Sequence, residues 1–421
     1  MTRFLLPLIA TPVIIALTVI IGVPGCKPGS KPSATVTQQH APTMADYWEG
    51  NAYFHEFYTE NLAETRFPST EIVPVNGVWY RFERYYITDI VPVEHSSAGL
   101  CVFKSTDKGM SWSEHVIIAA PGGDNDWSRY AIDGGAYYDG NRWHLLFQSL
   151  SWAKDAQWNI SYLVCDEEDA TTGTWYVPPG VTNPVIRNRD IWDRIAIGDN
   201  DCTKITGAEK QIYDEGTPKI LVDDRTIYVT FHGASKSNNG ITYVIFDGHS
   251  TTGSIYGYRG IASTTDFTTY TPAANDCIFD LYDAQSWDVE WQPGGTIGGG
   301  AAAYIKDGEY WYTLIESPDI SLDCALEQNW PFGLLRSKHL TDTKWENWIS
   351  NPPPELRPVG PSKIGVPTWS YSTLFKDDGI TYMGIQNDWS TTWDSPGYAY
   401  RLYRLEWKEN PANAATKNQR Q

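Results

Sequence analysis

Short stretches of alternating apolar and polar residues, each interrupted by a Gly- or Asp-containing turn and resumed by an aromatic run, recur along the chain. They are EIVPVNGVWY at 71–80, DGGAYYDGNRW at 133–143, PKILVDDRTIY at 218–228, AAAYIKDGEYW at 301–311 and STLFKDDGITY at 372–382. In each, Asn-Gly, Asp-Gly or Asp-Asp supplies the positive-φ turn between β-branched and aromatic runs, which predicts a β-hairpin. The first four are followed by a strand that enters a Ser/Asp-rich turn closed by an aromatic residue, at 105–112, 166–175, 263–270 and 337–345. The fifth ends instead in the alternating run YRLYRLEW at 400–407, placed to close a ring. Five units, roughly 65 to 85 residues apart, suit four-stranded blades around an axis. The prediction is an all-β, five-bladed β-propeller in a single domain. Two β-sandwiches would need a linker-like shift of composition near the middle, and there is none.

The two ends read differently. Residues 1–25 carry one early cation, Arg3, then an apolar run from Phe4 to Val23 that stops just before Cys26. This is the pattern of a lipoprotein-type signal peptide, with Cys26 as the lipidated residue; an uncleaved anchor is the alternative, since about 20 apolar residues span a bilayer. Residues 26–45, rich in Pro, Ser, Thr and Gln, predict a flexible tether, 46–408 the propeller and 409–421 a disordered tail. The domain is therefore expected outside the cytoplasm, held to a membrane by its lipid and facing the periplasm or the cell surface. In that oxidising setting, Cys101 and Cys165 lie in apolar strand patterns and predict buried free thiols. Cys202, Cys277 and Cys324 lie in loop-like sequence, where one disulfide among them is an open choice.

Composition narrows the function. The 421 residues carry 51 Asp and Glu against 32 Lys and Arg, a formal charge of −19, so the mean field repels polyanions and excludes nucleic acid as partner. The 19 Trp and 26 Tyr exclude a disordered or coiled-coil chain. No two cysteines have the close spacing of a metal knuckle, so no metal site is expected.

At the Ala131-Ile132-Asp133 stretch, the Glu215-Gly216-Thr217-Pro218 stretch and the Ser-x-x-Asp-Phe exit turn at 263–270, the sequence resembles the five-bladed β-propeller glycoside hydrolases of the arabinanase and β-xylosidase type. The resemblance runs as a pattern from about residue 60 to 407. Residues 105–112 also match the Asp-box of sialidases, a structural turn whose Asp caps backbone N–H groups and whose Trp packs between strands. The resemblance implies hydrolysis of an extracellular poly- or oligosaccharide by two carboxyl groups, one protonating the leaving oxygen and one serving as base or nucleophile. It implies Glu215 as general acid, Asp133 as the group that tunes and orients it, and Glu71 as base or nucleophile. Glu71 departs from the family, which usually carries Asp-Pro one position earlier. Glu290 and Glu316 are reserve carboxylates.

Heads of inner strands converge on one axial funnel, so Arg66 and Arg129, just ahead of the first two, are candidates for binding hydroxyls or a carboxylate. Trp192, Trp369 and Trp389, with Trp330 and Trp393, are candidate platforms for sugar C–H faces, although most Trp in a propeller packs between blades. His232 reads as a structural residue. Nothing in the residues demands a cofactor; a structural Ca²⁺ occurs in some members of the family. The expected partner is a carbohydrate and the expected state a monomer. A sialidase-like hydrolase and a non-catalytic carbohydrate-binding propeller are the alternative readings.

Overall fold

The computed structural model describes residues 40–62, 66–87, 97–120, 127–128, 130–150, 159–186, 213–244, 250–273, 302–316, 332–347, 369–388 and 398–408. These form nineteen strands and one five-residue helix. All five predicted hairpins are present, each joining the innermost strand of a blade to the second. Blade 1 holds β2 (Arg66–Val75), β3 (Val78–Ile87), β4 (Ser97–Ser105) and β5 (Val116–Ala119); blade 2 holds β6 (Tyr130–Tyr138), β7 (Trp143–Leu150) and β8 (Asn159–Cys165). Blade 3 holds β9 (Tyr213–Asp223), β10 (Thr226–Val244), β11 (Ser250–Thr264) and β12 (Tyr270–Pro272). Blade 4 holds β13 (Ala302–Asp307), β14 (Tyr310–Glu316), β15 (Phe332–Ser337) and β16 (Glu346–Asn347). Blade 5 runs outward from β17 (Trp369–Asp377) through β18 (Ile380–Asp388) and β19 (Tyr398–Trp407) to β1 (Ala52–Leu62).

Blades 1 and 2 share a single backbone-paired position, the parallel pair Ala98 with Tyr130, which makes one continuous sheet of the two. In blade 2 the described fourth edge shrinks to isolated bridges, Val164 to Tyr176 and Ile160 to Ile186. The innermost strands contact one another in the order β2, β6, β9, β13, β17 and back to β2. The hairpin turns take the backbone their residues favour: Asn76 and Gly77 have φ of 50° and 82°, and Asp378 and Gly379 have 48° and 76°.

The ring is closed from both ends of the chain. β19 is the third strand of blade 5, and the N-terminal β1 pairs along its free edge from Ala52 opposite Trp407 to Leu62 opposite Tyr398. Ahead of β1, helix α1 (Met44–Trp48) is capped reciprocally by Thr43 and Asp46. The helix takes up Met44 and Ala45, which composition assigns to the tether, because Met44 and Tyr47 are buried and the Met44 N–H donates to Asp307 Oδ2 at 2.7 Å.

Rows of buried aromatics fill the seams between blades. Trp79 of blade 1 sits 4.8 Å from both Phe375 and Tyr382 of blade 5 and donates to Asp377 at 3.0 Å. The Asp-box takes its predicted form: Asp107 accepts from Ser111 N at 2.9 Å, and Trp112 covers the buried Arg81 guanidinium at 4.2 Å. The turn at 264–270 has the same chemistry, with Asp266 accepting from the Thr268 and Thr269 amides. Cys101 and Cys165 are buried free thiols, as expected. Burial pushes the Cys165 thiol up to about 12, so it is inert near neutrality. Cys202, Cys277, Cys324, Cys26 and residues 409–421 lie outside the described residues.

Candidate active site

Contacts between adjacent inner strands join residues at matching offsets from their hairpin turns. Glu71 and Thr373, each six residues before its turn glycine, meet across the seam between blades 1 and 5. Gly135 lies against Pro218 and Lys219 in the same way. The innermost strands therefore run in the same sense, with their heads at one face and their turns at the other.

Four of the five heads are irregular. Pairing with the second strand slips between Phe67 and Glu71, between Ile132 and Gly134, opposite the Thr230/His232 step on β10, and between Ser370 and Ser372. Such bulges bend a strand and re-aim its side chains. Asp133 and Thr217 sit in them with φ of 42° each. A β-branched residue in that region carries a strain of about 1–3 kcal/mol that its surroundings must hold. Thr217 is held on three sides: its N–H donates to Gln148 Oε1 at 3.1 Å, and Arg259 donates to its carbonyl at 3.1 Å and to its hydroxyl at 3.0 Å.

Two ion pairs tie the heads together. Lys219 Nζ of β9 reaches Glu71 Oε2 of β2 at 2.8 Å, and the Thr373 hydroxyl of β17 donates to Glu71 Oε1 at 3.2 Å. Three blades thus converge on one carboxylate, whose side chain keeps 18% of its exposure while that of Lys219 keeps 7%. The second pair, Arg84 of β3 with Asp133 of β6, is almost entirely enclosed. Deleting one partner of so buried a pair strands a charge, at a cost of about 3–5 kcal/mol. Gly135 sets the spacing: a Cβ there would lie 2.7 Å from the Pro218 carbonyl oxygen and 2.8 Å from the Lys219 Cα.

The structure places the predicted residues as follows. Glu71 and Asp133 are both at inner-strand heads, each bound to a cation from another blade: Lys219 of blade 3 for Glu71 and Arg84 of blade 1 for Asp133. Glu215 is on β9 opposite Gly233, two residues before the strained Thr217. Arg66 opens β2 opposite Tyr85, and Trp369 opens β17 opposite Asn387. Glu316 ends β14 opposite Phe332, and His232 pairs with Gly216 and Arg259 inside blade 3. Arg129, Trp192, Trp389, Trp330, Trp393 and Glu290 lie outside the described residues. Lys219, Arg84 and Arg259 escaped the sequence reading. A basic residue one or two places after a Pro, or inside an alternating strand, looks like solvated surface, and only the ring brings a carboxylate to it.

No family model and no curated protein matches this chain. Solved structures do. One, described as a BT0996 complex with RGII, superposes with a TM-score of 0.56 at 14% identity, covering 85% of this protein and 94% of its own length. Another, described as a glycoside hydrolase, does so with 0.56 at 13% identity over the same shares. At this level of identity the likeness is one of fold, and it places the protein among five-bladed β-propellers.

Proposed function

We propose that this propeller is a glycoside hydrolase that cleaves an extracellular poly- or oligosaccharide at the face where the inner-strand heads converge. The observation that carries the reading is the Glu71 carboxylate, gripped by Lys219 and Thr373 from two other blades and still partly open. A surface carboxylate needs no such fixing; a base or nucleophile does, because a misplacement near 1 Å costs about 100-fold in rate. In this reading Glu71 acts as base or nucleophile and Glu215 as general acid. Asp133 and Arg84 fix the blade 2 head between them. Arg66 and Trp369, at the mouths of β2 and β17, bind the sugar. Because a propeller of the same fold has been solved as an RGII complex and another is described as a glycoside hydrolase, RGII-derived glycans belong on the substrate panel beside arabinose- and xylose-containing ones. Cys26 carries the lipid that holds the exported enzyme to its membrane.

Glu215→Gln tests it. Product analysis on the glycan panel is expected to show turnover lowered by about 10²–10⁴-fold, with binding of the cleaved glycan retained. Wild-type turnover in the variant removes Glu215 from the mechanism. One observation favours a second reading, a silent carbohydrate-binding propeller: both oxygens of Glu71 are already engaged. That reading predicts glycan binding with no product from any panel member.

A further inference from the structure

Blades 2 and 3 line an open cavity of about 280 Å³ near the turn face, far from the heads. Asp139, on its wall, follows Asp133 by six residues of extended chain, about 20 Å. Its inner wall is a stack of rings: His144 lies 4.3 Å from Phe267 with 17° between planes, and Tyr162 lies 5.3 Å from Phe267 with 12°. Half-buried Tyr137 extends the stack, 6.1 Å from His144. His144 is pinned, with Nδ1 at 2.7 Å from the Tyr162 hydroxyl and Nε2 at 3.2 Å from Asp139 Oδ2.

The charges at the rim select the ligand. Arg142 is balanced by Asp166, its Nε 2.5 Å from Oδ1. Asp139 and Asp266 remain. Burial raises both, but hydrogen bonds, from the Asn141 and Arg142 amides and from the Thr268 and Thr269 amides respectively, hold them below the ordinary carboxylate range. Two ionised acceptors beside flat apolar rings favour a molecule that offers O–H donors and a C–H face, and repel an anion. The volume, just under the roughly 300–1,000 Å³ of small-molecule sites, suits a small ligand such as one monosaccharide unit and not a longer stretch of polymer.

We propose that this cavity is a second, non-catalytic sugar site that takes one neutral monosaccharide unit of a glycan. It deepens the hydrolase reading in one respect only, that the glycan is the polymer cleaved at the heads; occupation of the cavity does not depend on cleavage. Holding the polymer at two points raises its effective concentration at the heads.

The test is affinity electrophoresis of the full domain through gels containing debranched arabinan, arabinoxylan or polygalacturonan. Wild type and Glu71→Gln are both expected to be retarded by a neutral polymer and to ignore the anionic one. Tyr137→Ala/Asp266→Asn is expected to lose at least 10-fold in apparent affinity while cleaving a small aryl glycoside at the wild-type rate. If the double variant does not fold, Asp266→Asn alone carries the test, because it keeps Oδ1 for both turn amides. No retardation of wild type by either neutral polymer, equal retardation of the cavity variant, or retardation by polygalacturonan overturns the proposal. Absence of hydrolysis with retardation intact would instead sink the hydrolase reading and leave the cavity standing.

Discussion

His144 shows how burial turns one side chain into a pH-dependent part of the fold. Desolvation is the largest influence on it and lowers its pKa from the ordinary 6.5, against the opposing pull of Asp139. As pH falls below about 6.5 the unfolded chain takes up the proton first, so the stability His144 contributes is whole above that pH. It is lost as pH descends toward the folded value. Replacing the ring with Phe keeps its stack on Phe267 and removes the titration. The melting temperature of wild type is expected to fall more than that of His144→Phe between pH 7.5 and 5.0; parallel profiles would refute the assignment. The same burial explains what the sequence conceals at the heads. Acids at strand starts stand out in an alternating pattern, so the places of Glu71 and Asp133 at inner-strand heads and of Glu215 on β9 were readable. Lys219, Arg84 and Arg259 were not, because a cation's meaning depends on a carboxylate or carbonyl that another blade supplies.

Hairpins were readable because their information is local: an Asn-Gly or Asp-Gly step between two apolar runs contains both partners of the pairing. The Asp-box and its relatives were readable for the same reason, since Asp107 and Asp266 bond amides within four residues of themselves. Contacts between blades are non-local, and the bulges that shape the heads leave no mark in the hydrophobic alternation. Gly135 marks the tightest such contact, where β6 crosses onto β9. The atoms a methyl group would strike there are backbone, the Pro218 oxygen and the Lys219 Cα, and neither can rotate away. Gly135→Ala is therefore expected to force the two strands apart and cost about 1–3 kcal/mol of unfolding free energy. Urea titration measures it. The displacement carries Lys219 away from Glu71, so under the hydrolase reading activity falls further than stability predicts. An unchanged urea midpoint would show that the blades are looser than described.

A ring of blades has no natural end, and this chain solves the problem by pairing β1 near its start with β19 near its end, from Ala52 opposite Trp407 to Leu62 opposite Tyr398. β1 lends its edge to β19, and nothing in the run from Ala52 to Leu62 names that partner in advance. Its aromatic alternation only becomes a strand when the C-terminal edge arrives. The closure is reinforced beside the strand: Arg81 of blade 1 pairs with Glu60 of β1 at 3.0 Å, and its guanidinium lies 4.9 Å from the Tyr400 ring of β19. Lys408 N–H donates to the Asn51 carbonyl at 3.0 Å just past the last pair. Removing residues 1–62 exposes the whole free edge of β19, strips Glu60 from the buried Arg81 and opens the seam that Met44 and Tyr47 cover. An unpaired edge of that length recruits another edge. The truncated protein is expected to elute as oligomers or aggregate in size-exclusion chromatography. Adding the 40–62 segment as a separate peptide is expected to restore a monomeric complex with a cooperative melt. A truncated protein that stays monomeric and melts like the parent would mean that four and three-quarter blades suffice, and that β1 decorates the ring without closing it.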